Sequence, residues 1–462
     1  MFKKLTVLFL TAFFVQLGAF AANFSGPVNN IISSYDFDHD SVISIAVKDK
    51  NKDDIVYSKN QYKYLNPASA LKLFTMAASL NTLGNDYKFK TAFYKDKNNN
   101  LYLKLSGDPL LKTSDMEELT KDLKKNYKGR INKIYIDDAI IDLVPYPNGW
   151  MSDDIWPNSP KISPYMVDFN TVKVDFLLSE DKKDLRIVQK SPYKFSFVNK
   201  LQTGSKTDFT FIEDETHNTI DVIGTISSSV TDKPVPVLNP RYFFCQKMNS
   251  AINKAGIKFS DKFLFAKTPK DAVLVAKFER PIDEVVKYIL QTSNNIGAEM
   301  LFKVAGGKFI ENKILQKNTS LALGTTQNGI AMFLEYCQNL GLDPKQVRIT
   351  DGSGVSRYNA MNVNWMAEAL SKISFDFEKY LPTGGVGTLD KRLRELKGSV
   401  YLKTGTLFGS SSLVGIIKTK DNIYYYASNI MSYNRNKSLV KAAEDEIIFE
   451  IYRRSEENEN EN

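Results

Sequence analysis

Two short apolar runs, Val42-Ile43-Ser44-Ile45-Ala46-Val47 and Ile55-Val56-Tyr57-Ser58, flank the polar stretch Lys48 to Asp54. β-Branched and aromatic residues bounded by turn formers predict two strands joined by that turn. A short helix is expected ahead of them, near Pro27 to Tyr35. From Leu65 to Asn85 the only charged side chain is Lys72, and Ala70 to Leu83 is apolar nearly all round, without Pro or Gly. Such a run predicts a helix buried on every side rather than a surface helix. Pro67 suits its start and Gly84 its stop. From about Thr91 to Lys270 the texture changes. Short β-like runs (Leu101 to Leu105, Ile131 to Ile136, Val172 to Leu178, Phe195 to Val198, Thr219 to Ile226) alternate with polar turns, and helices are expected at Met116 to Tyr127 and Arg241 to Ala255. A helical half follows: Pro281 to Leu290, Ser293 to Val304, Ile330 to Leu340 and Asn364 to Ser371. Ser399 to Gly405, Ser411 to Thr419 and Ile423 to Ile430 read as three strands, the last two a hairpin, and Lys437 to Tyr452 as an amphipathic terminal helix. Two strands near the start and three near the end predict one sheet closed by both termini, with the middle of the chain inserted into it.

The buried helix carries the first chemical signal. Ser69 falls in its first turn, and Lys72 lies one turn later on the same face. A lone ammonium in apolar surroundings is costly, and desolvation favours the neutral amine. A neutral lysine within reach of a serine hydroxyl is a general base beside a nucleophile. The helix amino terminus adds positive potential where an oxyanion would develop. A capping serine and a lysine reaching for solvent would read the same way locally. Ser-x-x-Lys also occurs at Ser179/Lys182, Ser191/Lys194 and Ser438/Lys441, but none of those lies in an otherwise uncharged helix.

Lys403-Thr404-Gly405 occurs once, on the first of the three late strands. A cation, a hydroxyl and a glycine that allows close backbone approach suit a substrate carboxylate; a strand-end lysine beside a bulge glycine is the structural alternative. Ser293-Asn294-Asn295 offers a hydroxyl and an amide two residues apart, between the other two motifs.

Composition narrows the class. With 462 residues there is room for two or three domains, and 43% hydrophobic and 25% charged residues are ordinary for a globular protein. Lys3 and Lys4, the apolar Leu5 to Gly18 and the small-x-small Ala19-Phe20-Ala21 read as a secretory leader over residues 1–21, which directs the chain to the periplasm or cell envelope. No later run is long enough to span a membrane. Net charge is +8, two units of it from Lys3 and Lys4. The basic residues are spread out, which argues against nucleic acid and is compatible with loose association with an anionic envelope surface. Cys245 and Cys337 could pair in an oxidising compartment or remain buried thiols. His39 and His217 are the only histidines, both in polar runs, so neither a Ser-His-Asp triad nor a His-rich metal site is expected. Asp36-Phe37-Asp38-His39-Asp40 starts like a calcium loop but lacks its sixth-position Gly and closing Glu, and reads as a polar loop. No metal or cofactor is expected.

Ser-x-x-Lys, Ser-x-Asn and Lys-Thr-Gly, in that order, are the motifs of penicillin-binding proteins and class A β-lactamases. The chain resembles the D-alanyl-D-alanine carboxypeptidase/endopeptidase group of low-molecular-mass, class C penicillin-binding proteins. The resemblance runs through Pro67 to Leu73, Ser106-Gly107-Asp108-Pro109, Asp351-Gly352-Ser353-Gly354-Val355-Ser356-Arg357, Gly385 to Leu389 and Lys403 to Leu407. Ser69 and Ser293 stand nearly half the chain apart; class A β-lactamases keep these motifs much closer together. The resemblance implies an α/β fold of the α+β type: a β-lactamase/transpeptidase-like domain whose five-stranded antiparallel sheet is flanked by helices. Residues 22–92 and 275–454 would form it, with 93–274 a strand-rich insert of two nested modules and 455–462 a disordered tail.

By the same resemblance Ser69 is the acylated nucleophile, Lys72 its base, and Ser293 the relay of a proton to the leaving D-alanine. Asn295 binds the substrate amide. Lys403 supplies positive charge, Thr404 and Thr406 hold the terminal carboxylate, with Gly405 between them, and the backbone N–H groups of Ser69 and Thr406 form the oxyanion hole. Arg357 matches a position that contacts the side-chain end of the stem peptide. Asp154, or its neighbour Asp153, matches an acidic partner from the insert. The implied partners are peptidoglycan stem peptides, with β-lactams as covalent inhibitors. Two alternatives remain at this level: a β-lactamase or esterase of the same fold, for which Glu335 and Asn339 give an incomplete Glu-x-x-x-Asn with Gln338 where Leu is expected, and a non-catalytic muropeptide or β-lactam sensor.

Overall fold

The computed structural model describes residues 24–461 apart from 156–158, 182–183, 192, 194–195, 215, 218, 260–261, 316–322 and 435. The expected leader over 1–21 lies outside the described residues.

A five-stranded antiparallel sheet joins the two ends of the chain. Its order is Val400–Leu407, Ser410–Lys418, Ile423–Met431, Val42–Asp49, Asp54–Lys59. The first strand of the chain pairs with the last, Ala46 opposite Ala427. Successive side chains leave a strand on opposite faces, and here each face meets its own core. Ile45, Val47, Leu413 and Tyr426 face the helices Ser25–Ser34 and Lys437–Glu461, packing with Val28, Ile32, Val440 and Ile447. Ala46, Val414 and Ala427 face the opposite way, into the larger core that holds the helix Leu71–Leu83. That helix is buried at every position from Leu71 to Leu80, as its unbroken apolar run predicts. Phe74 meets Trp365 edge-on at 5.5 Å between ring centroids.

The middle of the chain builds three further sheets. One has the order Phe263–Phe265, Ile134–Asp137, Leu101–Lys104, Lys88–Lys95, Val273–Pro281. Its last two strands pair from Lys95 opposite Val273 to Lys88 opposite Pro281, so the chain departs and returns side by side. Two three-stranded sheets, Val230–Pro236/Thr171–Leu178/Leu185–Gln189 and Ser196–Thr203/Thr219–Ile226/Asp208–Asp214, lie beyond it. The helices Thr113–Asn126 and Pro240–Lys254 share a separate hydrophobic core with these strands, including Phe93, Phe176, Phe211, Val222 and Phe244.

Three details differ from the sequence reading. Phe37–Asp40 is a helical turn, not a loop, because Phe37 is buried against the first sheet. Lys88–Lys95 is a strand that its lysines conceal; Phe89, Thr91, Ala92 and Phe93 are the buried members. The terminal helix runs to Glu461, where a disordered tail is expected from Ser455. Arg453 and Arg454 bridge to Glu450 and Glu457 one turn away, and buried Ser455 donates to the carbonyl of Ile451, which carries the helix past Tyr452.

Candidate active site

The turn that presents Ser69 is held from three directions. Asn66 accepts from Ala68 N–H through Oδ1 at 2.9 Å and donates through Nδ2 to the carbonyl of Ser356. Its own carbonyl accepts from Ser410 Oγ and Asn429 Nδ2, and the carbonyl of Pro67 accepts from Ser412 Oγ at 2.6 Å. Ala68 sits at φ 47°, a conformation that costs a non-glycine residue energy and persists only where neighbours impose it. Two glycines permit the approach. A Cβ on Gly354, itself at φ +83°, would stand 1.9 Å from the carbonyl oxygen of Ala68, and one on Gly405 would stand 2.7 Å from that of Pro67. The glycine of the Lys-Thr-Gly motif thus lets the late strand lie directly on the nucleophile turn. Ser69 is only half-buried, although Ala68 and Ala70 are fully buried.

Lys72 has no exposed surface. Its Nζ lies 2.8 Å from Ser69 Oγ, 2.7 Å from Asn295 Oδ1 and 2.7 Å from the carbonyl oxygen of Ser353. Burial pushes its pKa down to about 7, against the opposing pull of Asp351 and Glu299. The three contacts match a neutral amine. Its two N–H groups donate to the two carbonyl oxygens, and its lone pair faces the serine hydroxyl.

A second dyad stands beside the first. The helix Ile282–Thr292 ends on Ser293 in the left-handed conformation, and the next helix begins at Asn295. This tight junction turns Ser293 Oγ toward Lys403 Nζ, 2.9 Å away, while Asn295 reaches Lys72. Lys403 is fully buried and also donates to the carbonyl of Thr404 at 2.6 Å. Burial, and then the charge of Lys72, hold its pKa well below the usual ammonium range. Thr404 is buried; Thr406, two residues along, is half-exposed opposite Ser411.

Arg357 and Asp154 meet each other. Arg357 Nη2 donates to Asp154 Oδ1 at 3.1 Å, and Arg357 N–H donates to the carbonyl of Gly149. Arg357 Nη1 is buried with no hydrogen-bond partner among the described residues. The side chain of Asp153 lies outside the described residues. Glu335 does not join the site: it is a surface residue ion-paired with Lys313.

The model of the D-Ala-D-Ala carboxypeptidase 3 (S13) family matches residues 29–447. The chain belongs to this family. Among similar proteins, the D-alanyl-D-alanine carboxypeptidase of Actinomadura sp. (strain R39) is 26% identical over 418 residues, covering 82% of this chain and 75% of that one. The penicillin-sensitive carboxypeptidase A of Dictyostelium discoideum is 24% identical over 411 residues, covering 78% and 76%. The crystal structure of penicillin binding protein 4 (dacB) from Haemophilus influenzae superposes with a TM-score of 0.78 at 20% identity, over 93% of this chain and 99% of that one.

Two carboxylates at the centre of this S13 site escape the sequence reading as site residues. Asp351 is fully buried; it accepts from Trp150 Nε1 at 3.0 Å, from the N–H groups of Gly354 and Ser356, and from Asn359 Nδ2. Glu299 is equally buried and accepts from Gly352 N–H at 2.9 Å and Ser353 N–H at 2.7 Å. The signal that exposes Lys72 was present for Glu299 too, since it stands in the apolar run Ile296 to Leu301. Cys245 and Cys337 are free thiols in separate cores, and burial raises their pKa to about 11 and about 12. No helix among the described residues is long and apolar enough to cross a membrane.

Proposed function

We propose that this protein is an exported serine D-Ala-D-Ala carboxypeptidase, with DD-endopeptidase activity on cross-linked peptides, that works through an acyl-enzyme on Ser69. The observation that carries the reading is the trio of partners around Lys72 Nζ, which leaves a lone pair for the Ser69 proton. Ser69 Oγ attacks the carbonyl carbon of the penultimate D-Ala as its proton passes to Lys72. The amide C–N bond then breaks, and the departing D-alanine takes a proton relayed by Ser293 beside Lys403. Water repeats the sequence to release the shortened peptide. Asn295 binds the peptide amide; Thr404 and Thr406 take the terminal carboxylate under the positive field of Lys403, where Gly405 lets the backbone come close. The N–H groups of Ser69 and Thr406 hold the oxyanion. Arg357, with one guanidinium N–H pair unpartnered, and Asp154 beside it read the side-chain end of the stem peptide.

The substrate is the stem peptide of peptidoglycan, and β-lactams trap the same serine. A solved β-lactam complex of the Haemophilus influenzae penicillin binding protein 4 supports the second point through a shared fold, with a TM-score of 0.72. We read residues 1–21 as a leader that exports the enzyme to the periplasm or cell envelope. We read 22–92 and 275–454 as the peptidase unit and 93–274 as its insert, a division supported by the paired strands where the chain departs and returns.

Incubation of the mature protein with a fluorescent penicillin, followed by intact mass and peptide mapping, tests this. One stable adduct on Ser69 together with D-Ala release from a muropeptide is expected. Labelling that persists at full stoichiometry in Ser69→Ala overturns the assignment. Stable labelling without peptide turnover favours a sensor, and rapid nitrocefin turnover a β-lactamase.

A further inference from the structure

Glu299 stands one helical turn beyond Asn295, on the same face of the helix Asn295–Leu315. Asn295 touches Lys72 directly; Glu299 touches it through the loop. Its carboxylate takes the N–H groups of Gly352 and Ser353, and the carbonyl of Ser353 in turn holds Lys72 Nζ at 2.7 Å. Gly352 O also accepts from Thr75 Oγ1 of the Ser69 helix at 2.7 Å. The loop is therefore clamped between two helices at the residue that aims the lysine.

We propose that Glu299 is a positioning residue for acyl transfer: it fixes the Ser353 carbonyl that aims Lys72 at Ser69, and its buried carboxylate supports the ammonium that Lys72 becomes on taking the serine proton. The inference rests on the reading of Ser69 as nucleophile and Lys72 as base. When the Ser69 Oγ–H bond breaks, Lys72 Nζ gains a proton inside a site with no solvent to spread the charge, so the compensating negative charge must come from the protein. Three charged groups face Glu299. Asp351 comes from the loop, Lys72 from the Ser69 helix, and Lys303 from one turn further along its own helix. Lys303 is already engaged by Asp142 at 2.7 Å and by the carbonyl of Val144. Asp351 accepts from four donors of its own loop and from Trp150 Nε1, and its charge also favours protonated Lys72. Glu299 thus joins Asp351 in answering Lys72, and it alone of the two also holds the Ser353 amide beside the carbonyl that aims the lysine. Lys403, facing Lys72 from the strand, acts in the opposite sense. Burial and Asp351 raise the Glu299 pKa to about 8, close to that of Lys72, so the two titrate as a coupled pair.

The test follows acylation of the full-length mature protein by a fluorescent penicillin as a function of pH, in the wild type, Glu299→Gln and Glu299→Asp, with Ser69→Ala as the control for the nucleophile. Glu299→Gln keeps the shape and loses the charge. Its acid limb is expected to move to lower pH by about one unit, and its plateau rate to fall about tenfold, because Lys72 becomes a weaker base. Glu299→Asp keeps the charge but withdraws its oxygens from the loop; it is expected to keep the limb and lose plateau rate. An unchanged profile in Glu299→Gln overturns the proposal, as does a lowered plateau with an unmoved limb, which is the signature of a structural role. If Glu299→Gln fails to fold, Glu299→Asp decides, and an unchanged plateau there overturns the proposal. In all these outcomes the Ser69 reading stands. Labelling of Ser69→Ala would instead remove the premise.

Discussion

Strand Ser410–Lys418 is buried from Ser410 to Ile417, whereas Ser196–Thr203 has no buried position. Both belong to sheets of the same chain, yet they use polar residues in opposite ways. In the first, three consecutive serines cannot reach water, so each must find a protein partner. Ser410 and Ser412 donate to the carbonyls of Asn66 and Pro67, and Ser411 to Glu444. The bonds of Ser410 and Ser412 fix the nucleophile turn, and that of Ser411 ties the sheet to the terminal helix. In the second, charges pair at the surface, as Lys200 does with Asp221 at 2.6 Å, and solvent can replace either partner. Buried polar groups are obliged to be exact in their partners because an unmet one costs about 1–3 kcal/mol. The site lies where two-sided burial imposes that obligation, and its core also draws Leu110, Ile141, Trp150, Ile162 and Met166 from the middle of the chain.

The sharpest break between the two regions comes from Lys72→Ala. Acylation at Ser69 is expected to fall by about a thousandfold or more while the fold survives; acylation of the wild type should rise through about pH 7 as Lys72 loses its proton. Near-normal labelling of Lys72→Ala would remove the lysine from the chemistry. Phe176→Ala, in the insert core among Phe197, Phe209 and Phe211, should cost about 3–5 kcal/mol in denaturant unfolding. Acylation below its melting transition should stay within about twofold; a large loss would mean that the two regions are not independent. Gly354→Ala should cost about 3 kcal/mol and slow acylation together, because the new methyl meets Ala68. A thermal melt and a labelling time course check both. Lys254→Ala, which removes an exposed bridge to Glu117, should change stability by less than about 0.5 kcal/mol.

What the sequence disclosed follows the same division. A lysine alone in an apolar helix and a Lys-Thr-Gly on a strand are anomalies of pattern, and both motifs converge in the structure. The sheet joining the two termini was legible because its inner strands Val42–Asp49, Ser410–Lys418 and Ile423–Met431 are buried on both faces and so carry long apolar stretches. Lys88–Lys95 was not legible, since exposed lysines at 88 and 90 and a half-exposed one at 95 interrupt its apolar residues. Glu299 stands in an apolar run as Lys72 does, but its partners Gly352 and Ser353 are backbone amides of a distant loop, and Asp351 is held by its own loop and by Trp150, which only folding brings to it. Arg357 and Asp154 were each singled out, but their contact with each other depends on how a distant loop folds back, which spacing along the chain does not encode.

The pairing of Val42–Asp49 with Ile423–Met431 sets a timetable. A chain that emerges amino terminus first presents its serine early, but the strand beside it and the lysine of the second dyad arrive only near the end of synthesis. Until then the first two strands have no neighbour on which to close, and the entropy of so long a loop must be met before any contact rewards it. The Ser69 turn meets its neighbouring strand, and Ser293 meets Lys403, only when the last strands slot home.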